Sequence, residues 1–323
     1  MSLPIPSFYN EKQVNTLYLE RSALVTAEAR KYAVEHKLRP ASEDRLRIAA
    51  FGIDVQVGFC LPEGALFVPG AVEDTRRTLT WLYSNLEKIT SLVFSLDTHN
   101  AFQIFHPDWW RDARGNPPAP MTVITAAEVR SGRWRATRQP DKSLAYCENL
   151  ESSGRYVLTI WPYHSLLGSL GHALLPSVME ASLFHAVARD TPTRFDLKGE
   201  EPLTESYSVL SPEVKDLAGQ KVGEFNQKLF DYLRAFDRVY VFGQAKSHCV
   251  LSTLMDLKQA IEATDRSLMK RIYILEDAMS PVRPPMIHPL PAALDFPRLA
   301  DAGIQALREA GMRVVRTTDP IDA

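Results

Sequence analysis

Residues 238–250 read Arg-Val-Tyr-Val-Phe-Gly-Gln-Ala-Lys-Ser-His-Cys-Val, and the chain continues as LSTLMDLKQAIE. Arg238–Phe242 is a run of β-branched and aromatic residues without polar alternation, the pattern of a strand buried on both faces. A short turn from Gly243 comes next, and Cys249 or Val250 opens a segment rich in helix formers that runs to Glu262. A buried strand that turns directly into a helix is the building unit of a parallel sheet with crossover helices.

The same unit recurs on both sides. Apolar runs at 47–53 (RIAAFGI), 91–96 (SLVFSL), 193–197, 271–275 (RIYIL) and 312–316 (MRVVR) read as strands, with a further one at 155–160 (RYVLTI). Helical patterns lie between them at 73–89, 176–189, 225–236 and 296–310. The reading is an α/β fold with a mostly parallel sheet covered by helices. Residues 1–45 form a polar, largely helical leader, too short to bury a core alone. Residues 107–154, rich in Pro, Arg, Trp and Gly, read as a long irregular insertion, a kind of segment that usually has a function. The chain is expected to be this leader followed by one domain over 46–323.

Composition excludes several classes. The 323 residues carry 37 Lys+Arg and 39 Asp+Glu, a net charge of -2, so there is no basic footprint for nucleic acid or an anionic membrane. No apolar stretch approaches the ~20 residues of a membrane span. The N-terminus lacks the basic-then-apolar pattern of a secretory signal. Three cysteines, Cys60, Cys147 and Cys249, make no disulfide framework and suit a reducing cytoplasm.

In open α/β sheets ligands sit beyond the carboxyl ends of the strands. Asp54, Asp97 with His99, Lys198 and the turn ending in Cys249 all follow strands. Cys249 is the candidate nucleophile, because a thiol at a helix N-terminus feels the positive end of the helix dipole, which favours thiolate. Lys198 is suited to hold a neighbouring thiolate or carboxylate charged, and Asp54 to carry a proton. Asp97 and His99, two apart, share a face if the strand geometry continues and make half of a divalent-metal site. His106 and His164 are candidates for a third ligand.

In order, these strings are Asp54-x-Gln56-x-x-Phe59, Ser95-x-Asp97-x-His99, Trp161-Pro162-x-His164, Lys198-Gly199 with Glu205–Ser208, and Gly243-x-Ala245-x-x-x-Cys249-Val250. Together they resemble the nicotinamidase/isochorismatase-like cysteine hydrolase superfamily, over about residues 46–318. The resemblance implies a three-layer α/β/α fold with a six-stranded, mostly parallel sheet. It implies a triad of Cys249 as nucleophile, Asp54 as proton shuttle and Lys198 as the charge that holds both. It implies a divalent metal ion (Zn, Mn or Fe) on Asp97, His99 and His164, leaving His106 as an insertion residue. It further implies a cis peptide between Gln244 and Ala245 that aims the N–H groups of Ala245 and Cys249 at the substrate oxygen. Phe59, Trp161 and Tyr207 would wall an aromatic pocket. Family members commonly self-associate, so a homo-oligomer is expected, with no nucleic-acid or membrane partner.

The expected activity is amide hydrolysis of a small carboxamide through a Cys249 thioester. The sequence departs from the nicotinamidase pattern at Thr98 and Asn100 beside His99, at Ser165 after His164, and at Ser247-His248 before the nucleophile. All three places adjoin the expected substrate site. Hydrolysis of another C–N bond, in a ureido or carbamoyl compound, is the alternative, and a catalytically idle member that binds a small molecule or protein is a third reading.

Overall fold

The computed structural model describes residues 2–154, 156–284, 286 and 288–321. Six strands form its central sheet: β1 (Ile48–Ile53), β2 (Ser91–Asp97), β3 (Arg194–Lys198), β4 (Arg238–Gly243), β5 (Ile272–Leu275) and β6 (Arg313–Val315). Their order is β6-β5-β4-β1-β2-β3, and every neighbouring pair is parallel. β1 is buried along its whole length, as IAAFGI with no charged residue requires. The chain starts in the middle of the sheet and grows outward in both directions. Right-handed crossovers therefore place the helices of the two halves on opposite faces.

Among the described residues, the α-helices of seven or more residues are α1 (Ser22–Glu35), α2 (Ala71–Ser84), α3 (Pro140–Ser153), α4 (Pro176–Ala188), α5 (Gln227–Leu233), α6 (Leu251–Thr264) and α7 (Phe296–Glu309). α7 shows why such segments are helical. It starts with Asp295, whose carboxylate accepts from Arg298 N, and carries Pro297 in its first turn. It buries Phe296, Ala300, Ile304 and Leu307, a stripe at helical spacing. Burying four such side chains stabilises the fold by several kcal/mol, at about 1.5–3 kcal/mol for each large one.

The leader's helix, α1, lies on α4. Its fixed points are the buried Val25, Ala29 and Tyr32, together with Arg21, which clasps the buried Glu180 of α4 at 2.8 Å.

Two expectations from sequence need correction. The run at 155–160 is not a strand of the main sheet; Leu158–Thr159 pairs antiparallel with Val123–Ile124 in a separate two-stranded ribbon. A β-branched run specifies extended backbone but not its partner. The insertion is also more regular than its composition suggested, because it contains α3. Ser143, Tyr146, Cys147 and Leu150 are buried at spacings of three, one and three, a helical stripe that the surrounding Pro and Arg obscured. Among the described residues no helix is long and apolar enough to cross a membrane.

Candidate active site

Parallel register brings the strand ends together. Ile53 of β1 pairs with both Gly243 of β4 and Ser95 of β2, while Asp97 of β2 pairs with Lys198 of β3. The residue after β1, Asp54, is fully buried and adopts a left-handed φ of 49°. Its Oδ1 accepts the Ser95 hydroxyl at 2.6 Å, and its N–H donates to the same oxygen at 3.1 Å. Ser95 therefore fixes Asp54 from the neighbouring strand. Gly243 is the other required residue here. Its φ is 121°, and a Cβ would lie 2.1 Å from the Ile53 carbonyl oxygen.

Lys198 is the centre of the cluster. Its buried Nζ lies 3.0 Å from Asp54 Oδ2, donates to Asp97 Oδ1 at 2.6 Å and to the Ser206 carbonyl at 2.9 Å, and reaches Cys249 Sγ at 3.7 Å. Burial works against the charged ammonium, but Asp54 and Asp97 outweigh it and hold the lysine protonated. Burial raises the Asp54 carboxyl above its ordinary range, opposed by Lys198. Burial acts on Asp97 in the same sense, yet His99 and Lys198 prevail and hold it well below that range. The Cys249 thiol is pushed well above its ordinary value by burial, with Lys198 opposing. Burial thus acts against the thiolate that the sequence expectation favoured.

The turn that carries Cys249 is held from outside. Gln244–Ala245 is a cis peptide. The Gln244 amide donates to Asp74 Oδ2 at 2.9 Å, and its oxygen accepts from Ser280 N at 3.3 Å. The Ala245 carbonyl accepts from both His248 N and Val250 N, at 3.1 and 3.2 Å. One wide turn, Lys246–Val250, then leads into α6 and carries Cys249.

Beside Asp54, Lys198 and Cys249, the groups of Asp97, His99 and His164 are buried with their ligand atoms all within 4.8 Å of one another. The donor set fits a divalent cation. Each histidine Nδ1 faces a backbone carbonyl, Gly199 O at 3.1 Å for His99 and Pro162 O at 2.8 Å for His164. With a metal bound, donation there would leave the two Nε2 lone pairs for it, the outer-shell arrangement of metal-bound histidines. Both Nε2 atoms converge on Asp97 Oδ2, at 2.8 and 3.3 Å. The His99 Nε2 lacks a hydrogen bond of acceptable angle despite that distance. Lone pairs aimed at a common point fit a cation better than a proton.

Every site residue inferred from sequence lies in this one region. Phe59, Trp161, Tyr207, Ala245 and Cys249 line a single pocket together with Asp97, His164 and Lys198. Trp161 donates to the Tyr207 hydroxyl at 3.0 Å. His106 is outside the ligand set, but it is no surface residue: it is fully buried, its ring 5.9 Å from that of His99 and 6.1 Å from that of His164. Sequence reasoning missed Glu205 as a site residue. It is a buried carboxylate that lines the pocket and accepts from Ser206 N at 2.9 Å. His248, which the sequence placed beside the expected substrate site without a role, is buried in the same wall and pushed down to about 3 by desolvation, hence neutral. The signal for Glu205 was its place in Glu205–Ser208; nothing local separates it from a surface acid.

No protein-family model matches the chain, and no curated protein matches it. Solved structures do. The yeast nicotinamidase Pnc1p bound to the inhibitor nicotinaldehyde superposes with a TM-score of 0.54 at 17% identity, covering 83% of this chain and 99% of that one. The chain has the nicotinamidase fold. An Acinetobacter baumannii nicotinamidase/pyrazinamidase superposes with a TM-score of 0.51 at 18% identity, covering 86% of this chain and 99% of that one. Nearly the whole of each nicotinamidase finds a counterpart here, so this chain is the nicotinamidase fold with additional segments.

Proposed function

We propose that the protein is a cysteine amidohydrolase that cleaves a small carboxamide, with Cys249 as nucleophile, Asp54 as proton carrier and Lys198 as the charge that positions both. The observation that carries this reading is the single ammonium of Lys198 in reach of Asp54, Asp97 and Cys249 at once. A lysine this buried is otherwise hard to account for in a fold of this size. The nicotinamidase fold supports the same reaction class.

The chemistry follows from the protonation states. As the Sγ–C bond forms, the Cys249 proton passes to Asp54, whose raised pKa makes it a competent acceptor. The carbonyl oxygen takes the charge, with the N–H groups of Ala245 and Cys249 as its donors. On collapse the C–N bond breaks and Asp54 returns its proton to the departing amine, which leaves as ammonia. Water then attacks the thioester while Asp54 takes its proton. The second collapse frees the acid, and Cys249 is reprotonated from Asp54. Asp97, His99 and His164 would hold a divalent cation (Zn, Mn or Fe), which when bound supplies Lewis acidity beside the scissile carbonyl. The cysteines Cys60, Cys147 and Cys249 are all unpaired, in keeping with a reducing cytoplasm.

The test is ammonia release from nicotinamide and a panel of carboxamides and ureido compounds, with Cys249→Ala as control. Turnover that disappears in the alanine variant is the expected result. Turnover of ureido compounds alone would move the assignment to that class, and activity that survives Cys249→Ala would end the mechanism.

A further inference from the structure

The pocket above Cys249 has a cavity volume of about 20 Å³. That is room for about one water, which needs roughly 10–15 Å³ by such a measure, whereas a benzene ring fills a cavity of about 150 Å³. No aromatic amide fits in it as it stands. On the far side of Tyr207 and His248, which line both spaces, lies a second cavity of about 430 Å³. This is the size range of small-molecule sites. Its walls are mainly apolar, among them Leu251, Met255, Leu294 and Phe296. Among the described lining residues the one carboxylate is Glu151, which accepts from the Ala126 N–H at 2.6 Å. Its Tyr156 hydroxyl is paired with Ser252 at 2.8 Å. The described walls therefore suit an apolar group.

Two side chains form the partition, Tyr207 and His248, and Trp161 donates to the Tyr207 hydroxyl at 3.0 Å. The His248 ring packs against Tyr207 at 5.2 Å, Trp161 at 5.3 Å and Phe296 at 4.7 Å, and pairs through Nδ1 with the Ser247 hydroxyl at 2.8 Å. That hydroxyl also accepts from Val282 N at 3.0 Å, which ties the ring to the segment after β5. A larger hollow of about 650 Å³ meets the catalytic pocket at His164. That ring is fixed by Pro162 and belongs to the metal set, so it makes a poor gate.

We propose that the apolar cavity receives the part of the substrate beyond the scissile carbonyl, and that His248 is the specificity-determining residue between the two spaces. This rests on the amidohydrolase reading and deepens it: the preferred substrates are primary amides with an extended apolar acyl group, straight-chain or aryl-alkyl.

The experiment measures kcat/KM across straight-chain amides from acetamide to hexanamide, and binding of hexanamide to the Cys249→Ala protein by calorimetry. Each methylene buried is worth about fourfold, so hexanamide should exceed acetamide by at least tenfold. Leu299→Trp, at the half-exposed mouth, and Met255→Trp, inside, should each cut the hexanamide-to-acetamide ratio by at least tenfold and weaken hexanamide binding. His248→Ala should raise the ratio. A ratio near one, or one that both tryptophan variants leave intact, overturns the proposal. Binding separates it from the reading it rests on: tryptophan-sensitive binding without turnover of any amide upholds the cavity and sinks the amidase, while turnover without chain-length dependence does the reverse.

Discussion

Asp97 and Lys198 are register partners on adjacent parallel strands, and the lysine donates to Asp97 Oδ1 at 2.6 Å while the other carboxylate oxygen faces His99 and His164. One carboxylate thus joins the nucleophile's environment to the candidate metal group. The two halves of the site cannot be perturbed independently.

Lys198→Met leaves Asp54 and Asp97 buried without their cation. Breaking a buried ion pair by removing one partner costs about 3–5 kcal/mol. The variant should unfold at correspondingly lower urea concentration and lose ammonia release by about a thousandfold. A stability within 1 kcal/mol (roughly) of the parent would show that the ammonium is not what holds these carboxylates.

Asp54→Asn keeps the shape and the Ser95 contact but removes the proton carrier. A general acid–base group contributes about 10²–10⁴-fold, so first-turnover ammonia release should slow by that factor with the fold intact by circular dichroism. Should the first turnover keep its rate, Asp54 has no part in acylation.

Gly199 has φ +87°, and a Cβ there would lie 2.7 Å from His99 Cε1. Gly199→Ala should push the imidazole out of line. Disturbing the support of a metal-bound histidine typically costs 10–100-fold in affinity. Zinc affinity, measured by chelator competition, should fall by that factor. His99→Ala should abolish tight binding. Unchanged affinity in both variants would remove the metal assignment.

His185 of α4, outside the candidate site, is one of the buried histidines expected to make stability pH-dependent in acid. It donates from Nε2 to the Ile89 carbonyl at 2.9 Å, and burial, assisted by Arg189 and opposed by Ile89 O and Asp44, pushes it down to about 4. Its folded pKa is below the unfolded value, so the fold holds the neutral form. Above about pH 6.5 neither state binds the proton, and this group adds no pH dependence. Between about 6.5 and 4 the unfolded chain takes up a proton that the folded chain refuses, and up to about 1.4 kcal/mol is lost per pH unit. His185→Gln, which keeps a donor, should show a shallower loss of stability between pH 6.5 and 4.5 in urea titrations. Parallel curves for the two proteins would exclude His185 as the cause.

The sequence by itself determined the strands and the polar residues at their carboxyl ends. Asp54, Asp97, Lys198 and Gly243 are legible because a buried parallel strand must be a continuous apolar run, so the residue that ends it stands out. Cys249 was legible for the same reason, at the start of the helix after β4. Its resting protonation was not, because that depends on how much water the fold removes, which local sequence does not encode. The tertiary structure alone decided the rest. Leu158–Thr159 joins Val123–Ile124 rather than the main sheet, since strand pairing is a long-range choice. Glu205 reaches the pocket because its loop, far from Cys249 in the chain, closes over the strand ends. The cavity beyond His248 exists because α6, α7 and the end of the insertion meet there. Local patterns specify which segments are buried; only packing specifies which buried groups share a space.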